Sequence, residues 1–593
     1  MNRPVFTMGC VLLQLCFLCA SAAPGKVVYV DDDATGTSDG SSWANAFKYL
    51  QDALTSASSS LPSRRMSGDG APVAVETKVE VEIRVAQGTY TPDQSVPSGP
   101  SARPKQSAAA EMAFGLRSGM SIKGGYAGVG APDPDARDVE LYRTMLSGDL
   151  NGDDIEVEHP YDLPRESTRA ENSHCIVRSS YNTDATAVLD GCILTGATRG
   201  AMQNHDGSPT ISNCVFAWNA THLYGGAVYS QRGKLTLTRC RFIANWASQF
   251  GGAVCPDFGA TAVLTDCSFV GNQAGVGGAV AGEKVDITMT GCTFERNAAE
   301  RQGAIHCMEG TLLASDCTFS GNATPLLFTQ ASEGGAIGLF GDADATIANC
   351  LFERNSAPRG GAIYREYSHR GVILRDCIFS GNSAGRGGAL FGLYGSAVTN
   401  CIFAGNQAGW GGAVDSDCSG PEFVNCTFVA NRADNGNAMA RYSCRMSPEQ
   451  PIIMTNCILW DDGNEVGTAR NTYPVRFLKT DIRFSDVFDG WPGEGNIKVD
   501  PYFADPGHWD ANGTPDDPND DIWVHGDYHL KSQAGRWDPA TESWVLDEVT
   551  SPCINAGDPN SPVGDEPEPN GGRINMGTYG GTAEASKSYS GEH

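Results

Sequence analysis

Successive Gly-Gly or Gly-Gly-like positions are preceded by Tyr224, Phe250, Val276, Arg301, Glu333, Arg359, Arg386, Trp410 and Asn435. Aromatic faces and guanidinium forks are the groups that hold sugar rings and sugar carboxylates. Tyr224, Phe250, Arg301, Arg359, Arg386 and Trp410 are therefore candidate substrate-binding residues, and the column they form is a candidate polysaccharide track. A plainer account fits the same residues: Glu333 between Arg301 and Arg359 makes an ordinary ion-pair ladder, and Tyr224 and Phe250 can turn inward as core. A second group, Arg365, Glu366, His369 and Arg370, brings general acid–base types together after Tyr364. The four lie along one loop, as the charges of a solvated turn do. Asp149, Asn151, Asp153 and Asp154 alternate as in a calcium loop, without the glycine and distal glutamate of an EF-hand. Asp510, Asn512, Asp516, Asp517, Asp520 and Asp521 form a denser cluster. Calcium is the cation either set would hold through oxygen; a solvated acidic loop is the alternative.

The elements that position these residues come from a repeat. Cys214 opens CVFAWN, Cys240 CRFIAN, Cys267 CSFVGN, Cys292 CTFERN, Cys317 CTFSGN, Cys350 CLFERN, Cys377 CIFSGN, Cys401 CIFAGN and Cys426 CTFVAN, bracketed by CILTGA at Cys192 and CILWDD at Cys457. These cysteines recur 22 to 33 residues apart, and most copies continue to Gly-Gly-Ala and an aliphatic residue. A period of this length fixes the architecture before any other feature is considered. Within a copy Cys and Phe share one parity, as inward residues of a strand do. β-Branched residues, frequent glycine and the lack of helical periodicity favour short strands joined by tight bends. Some 25 residues make three strands and three bends, one coil of a parallel β-solenoid. Coils stacked at about 4.8 Å turn equivalent residues into ladders of Cys, Phe and Asn. An asparagine at the bend tolerates left-handed backbone and bonds to the amides above and below.

At these residues the chain resembles right-handed parallel β-helix proteins, especially those with polymorphic outer-membrane-protein repeats, Phe-x-x-Asn followed by Gly-Gly-Ala. VYVDDDATGTSDGSSWANAFKYLQDAL from Val28, IRVAQGTYTPD from Ile83 and IKGGYAG from Ile122 resemble the entry into such domains in secreted bacterial proteins. SPCINAGDPNSPVGDEPEPNGGRINMGTYGG from Ser551 resembles the exit. The resemblance implies an all-β, single-stranded, pectate-lyase-like solenoid with a short N-terminal cap helix and an irregular C-terminal cap. It also brings in polysaccharide lyases and hydrolases, whose chemistry would need Arg365, Glu366 or His369 beside carboxylates. Autotransporters with these repeats end in a membrane barrel, and no run of alternating apolar strands is seen near this C-terminus.

Four segments follow: a signal peptide over 1–22, a cap with irregular first coils over 23–171, regular coils over 172–465 and a capping region over 466–593. Arg3, the apolar run from Val11 to Cys19 and Ala20-Ser21-Ala22 make the signal. A secreted, periplasmic or surface-associated protein is expected. An amphipathic stretch from Trp43 to Leu54 would cover the first coil. Trp509, Trp523, Trp537 and Trp544 would pack on the last. The stacked cysteines are expected as buried thiols, because the coil spacing exceeds the Cβ separation a relaxed disulfide takes. Cys255, Cys307, Cys418 and Cys444 stand off that column, with Cys418 and Cys444 the favoured pair. No Cys and His spacing resembles a zinc site.

With 70 acidic against 42 basic residues and a net charge of −28, nucleic acid is disfavoured as a partner. The expected role is binding of extracellular polysaccharide or a structural, adhesive function at a cell surface. A lyase or glycoside hydrolase acting on an acidic glycan is the alternative.

Overall fold

The computed structural model describes residues 25–61, 80–92, 110–179, 181, 183–324, 333–366, 368, 370–417, 420–442, 451–468, 480–514 and 521–589. Three long parallel sheets run the length of the molecule, with 15, 14 and 13 strands. One coil shows the circuit: Lys234–Thr238 in the first sheet, Arg241–Ile243 in the second, Trp246–Phe250 in a short extra sheet, Val254–Asp257 in the third, then Thr261–Thr265 back in the first. The all-β parallel solenoid expected from the repeat is what the chain forms. The fourth strand goes beyond that expectation. It occurs in two stacks of four, the second from Ser356–Arg359 to Arg432–Asn435, and it carries the candidate track.

Phe216, Phe242, Phe269, Phe294, Phe319, Phe352, Phe379, Phe403 and Phe428 form one buried stack, with neighbouring rings 4.7 to 5.0 Å apart and nearly parallel. Parallel strands in register impose this face-to-face geometry, which free aromatic pairs avoid. The asparagine ladder beside it is fully bonded. Asn272 donates Nδ2 to Asn297 Oδ1 at 2.9 Å and to the Phe242 carbonyl at 2.9 Å, while its backbone N–H donates to the same Asn297 oxygen at 3.0 Å. The pattern repeats from Asn219 to Asn431. The left-handed backbone expected of the asparagines belongs to the residue before each: Trp218, Ala244, Gly271, Arg296, Gly321, Arg354, Gly381, Gly405 and Ala430 all have positive φ. Asparagine is placed by its amide, which satisfies buried backbone groups that no apolar side chain could.

Two glycines are needed at the next corner for different reasons. Gly251 has φ of 65°, while an added Cβ on Gly252 would sit on the Gly278 carbonyl oxygen of the following coil. The column cysteines from Cys192 to Cys457 are buried and free, as are Cys255 and Cys307. Burial pushes the Cys192 thiol up to about 12. Cys418 and Cys444 lie outside the described residues.

Helix α1, Leu50–Ser60, closes the N-terminal end by burying Leu50, Ala53, Leu54 and Ala57, an i, i+3, i+4, i+7 set. It begins later than the stretch from Trp43. That residue is drawn off by its neighbours: its ring lies 4.8 Å from Tyr29 and 5.7 Å from Tyr126, and its Nε1 donates to Asp135. At the far end Trp491 packs against the core. The rest of the tail folds back along the side of the solenoid instead of stacking on its last coil. Ile402, Ala404, Val429 and Ile458 point outward from the second sheet and form a second core with Phe503, Trp523, Tyr528, Leu530, Cys553, Ile554 and Met576. Trp509 donates Nε1 to the Ala430 carbonyl, whereas Trp537 and Trp544 pair with each other, 5.6 Å apart. Among the described residues no helix is long and apolar enough to cross a membrane.

Candidate functional site

The Gly-Gly corner folds the extra sheet against the third sheet, so residues on either side of the bend meet over a crease. On the first side, Tyr224 is paired with Phe250, Phe250 with Val276 and Val276 with Arg301. After residues 325–332, which are not described, Glu333 pairs with Arg359, Arg359 with Arg386, Arg386 with Trp410 and Trp410 with Asn435. The structure thus aligns the six candidate track residues in one column, in two segments. Trp410 is 40% exposed.

The other side of the crease carries residues that the repeat reading passed over. Tyr229, His306, Tyr364 and Phe391 occupy the outward position one residue after the inward aliphatic that follows Gly-Gly-Ala or its variants, and Phe340 lies two further on. The signal was present, since parity alone sends that position outward. An aromatic seam results. Tyr224 lies 6.0 Å from Tyr229 and 5.8 Å from Phe250; His306 lies 6.0 Å from Phe250 and 5.2 Å from Phe340; Tyr364 lies 5.5 Å from Phe340 and 5.4 Å from Phe391. Arg386 and Arg359 place their guanidiniums 5.0 and 5.7 Å from the Phe391 ring centre.

Polar groups in the seam are tied down. Glu333 is buried, ion-paired to Arg359 at 3.3 Å and hydrogen-bonded to Tyr364; burial raises the pKa of both its carboxyl and the tyrosine hydroxyl. Arg386 Nε meets the buried Asp415 at 2.7 Å. His306 is an exception, with neither ring nitrogen hydrogen-bonded, and burial takes it down to about 4. It is neutral at physiological pH.

Of the group Arg365, Glu366, His369 and Arg370, the three described residues do not come together on the outer surface. Arg365 follows Tyr364 and so faces inward; its side chain is fully buried and its Nη2 donates to the Arg370 carbonyl at 3.1 Å. A guanidinium inside the solenoid cannot touch a glycan on its surface. Glu366 accepts the Gly341 N–H at 3.0 Å, and His369 lies outside the described residues. Arg370 lines a polar cleft of about 610 Å³ with Lys284, Asp286, Glu309, Asp342, Asp344 and Ser368. Arg370 is paired there with Asp344, Lys284 with Glu309 at 3.3 Å, and Ser368 donates to Asp342 at 3.0 Å.

Of the acidic sets, Asp149 and Asp153 come together with Glu171, one carboxylate oxygen from each lying within 4.8 Å of the others. Asn151 is exposed. Asp149 also accepts the Gly152 and Asp153 N–H groups at 2.6 and 3.2 Å, which orders the loop on its own. Glu171 could not be found from spacing, because the fold brings it in from another loop. Asp31, Asp32 and Asp33 form a second such group, with Asp31 buried and bonded to the Val129 N–H at 2.6 Å. Asp510 accepts the Asn512 N–H at 3.0 Å in an exposed turn, and Asp516 lies outside the described residues.

One comparison bears on this architecture. Residues 172–333 and 310–473 match the model described as right handed beta helix region, and residues 492–557 match one described as disaggregatase related. No curated protein matches the chain. The crystal structure of pectate lyase Pel9A is similar at 10% identity, covering 93% of this chain and 96% of that one, with a TM-score of 0.27. A likeness of that order bears on neither activity nor substrate. The family match spans the same coils whose strands stack in three parallel sheets around one Phe and Asn ladder, and the chain belongs to the right-handed β-helix family.

Proposed function

We propose that this protein binds an extended polysaccharide along the crease, as an exported binding or adhesive protein whose repeats are of the polymorphic outer-membrane type. The observation that carries this reading is the registered column of Tyr224, Phe250, Arg301, Arg359, Arg386 and Trp410 beside a continuous aromatic seam. Sugar rings stack on aromatic faces, while arginine forks donate to their carboxylate or hydroxyl oxygens. Identical coil spacing along the column suits a polymer that presents the same groups at regular intervals. A catalytic role has weaker support, since Arg365 lies in the core and most carboxylates of the polar cleft already have partners.

The test is retention of the purified protein on immobilised acidic and neutral polysaccharides, with ultraviolet absorbance followed for unsaturated products. Trp410→Ala and Arg301→Ala should weaken retention about tenfold or more with unchanged circular dichroism. Unchanged retention removes the track. New product would establish an enzyme and redirect attention to the polar cleft.

A further inference from the structure

The strongest concentration of basic and aromatic groups around a cleft lies where the crease begins. Two short 3-10 turns, Pro160–Arg165 and Ser167–Arg169, form a wall against the early coils. Arg169 pins that wall. Its guanidinium is buried, with Nη1 3.0 Å from Asp154 and Nη2 donating to the Trp218 carbonyl at 3.0 Å. Asn172 holds the same Asp154 carboxylate from its amide at 2.9 Å. These bonds join the wall to coil residues far along the chain, so the cleft behind it is built by the fold.

Between the wall and strands Met202–His205 and Val228–Gln231 lies a space of about 940 Å³, larger than the polar cleft. Arg165, Arg199, His205, His222, Tyr224 and Tyr229 line it. Glu166 is the one acidic residue of its lining, and that carboxylate is engaged by the Thr168 N–H at 3.3 Å. On a chain of net charge −28 the lining itself holds three arginines against one acid, with Arg169 paired to Asp154 and Arg165 3.5 Å from Asp162, which leaves Arg199 as the exposed guanidinium with the least competition. The tyrosine rings stack at 6.0 Å, His205 stands edge-on to Tyr229 at 6.1 Å, and Tyr229 is oriented by donating its hydroxyl to Asp257 at 3.1 Å. Arg199 and His222 are exposed. Tyr224 belongs both to this cleft and to the first position of the crease, so the two are continuous.

We propose that the cleft seats an anionic sugar residue, bearing a carboxylate or a sulfate, at the end of the glycan that lies in the crease; this rests on the polysaccharide-binding reading above. Arg199 and Arg165 supply planar forks that match either anion, and the tyrosine faces receive the ring. The cleft would then fix the direction in which the polymer lies.

Calorimetric titration of the full chain with hexagalacturonate, its carboxyl-reduced counterpart and an O-sulfated form of that neutral hexamer tests this. The wild type should bind one or both charged hexamers at least tenfold more tightly than the neutral one. Which charged hexamer is preferred identifies the anion. Arg165→Ala combined with Arg199→Ala should bring charged binding to the neutral level, whereas Phe250→Ala, one coil from Tyr224 and within reach of a hexamer, should weaken all hexamers alike. Equal binding of charged and neutral hexamers, or a preference that survives loss of both arginines, overturns the cleft and leaves the crease standing. Charged binding that needs the arginines and ignores Phe250 supports the cleft and overturns the crease. Absence of all binding overturns both.

Discussion

Asn431 donates both its backbone N–H, at 2.7 Å, and its side-chain amide, at 2.9 Å, to a single oxygen of Asp461. The asparagine ladder therefore ends on a carboxyl, which can accept the last two bonds but, once ionised, cannot pass an amide bond onward. Glu465 closes over it, taking the Asp461 and Gly463 N–H groups on one oxygen at 3.0 and 3.3 Å. The second oxygen of each acid is buried, and the two side chains share a hydrogen bond that needs a proton on one of them.

Burial and the neighbouring acid raise Asp461 well above the usual carboxylate range, and burial pushes Glu465 up to about 7. Because the folded protein holds the Glu465 proton more tightly than the unfolded chain, its contribution is fully present below about pH 4.5 and is lost as pH rises through about 7, and Asp461 acts in the same direction. Glu566, also pushed up to about 7, and Asp486, to about 6, act in the same direction. Stability measured by chemical denaturation should fall between pH 4.5 and 8, by about 1 to 3 kcal/mol for the Asp461 and Glu465 pair. Asp461→Asn should flatten that dependence; an unaltered slope would show that the pair does not titrate as described.

Asn297→Ala should cost about 3 kcal/mol or more. It removes the amide that bonds the Phe269 carbonyl and Asn322, and the oxygen that takes both the Asn272 N–H and its amide. Replacement by Asp should also destabilise, since only the accepting half survives. Melting temperatures of the two variants against wild type check this, and a shift of under a few degrees for Asn297→Ala would argue against the ladder as drawn.

Gly252→Ala and Gly259→Ala should separate steric from conformational demand. Both carry a cost at the new side chain, yet only at Gly252 does the added Cβ meet backbone of the next coil, while Gly259 faces open space at φ of 76°. Gly252→Ala should fold poorly or lose several kcal/mol, and Gly259→Ala about 1. Equal melting temperatures would contradict the close approach of successive creases.

Arg386→Ala probes the crease less cleanly than Trp410→Ala, because it also removes an ion pair to the buried Asp415 at 2.7 Å. A stability loss of about 1 to 3 kcal/mol is expected, recovered in part by adding Asp415→Asn. Denaturation of the single and double variants measures the coupling. Additive losses would mean that the pair contributes nothing.

Much of this was legible in the repeat. Cys, Phe and Asn positions fixed the parity, the parity fixed the inward face, and the crease column followed from the Gly-Gly offset. Arg365 was misplaced by reading its charge before its parity: it follows outward Tyr364 and must point in. Glu171 entered a candidate site through long-range packing that local spacing does not encode, whereas parity already marked Tyr229 as outward. The tail was assigned to the solenoid's end because its four tryptophans looked like a lid. Ile402, Val429 and Ile458, apolar at outward positions, were the trace of a lateral partner.

That lateral docking changes how the molecule should come apart. A bare solenoid is quasi-one-dimensional, each coil knowing only its neighbours. Here Thr578 donates its N–H to the Thr427 hydroxyl oxygen and its own hydroxyl to the Cys401 carbonyl, the Gly577 N–H donates to the Asn456 carbonyl, and the Gly580 carbonyl accepts from the Asn400 and Asn425 amides. The returning chain is a clasp across several coils, so the C-terminal third should melt as one block and mechanical unravelling should proceed from the opposite end.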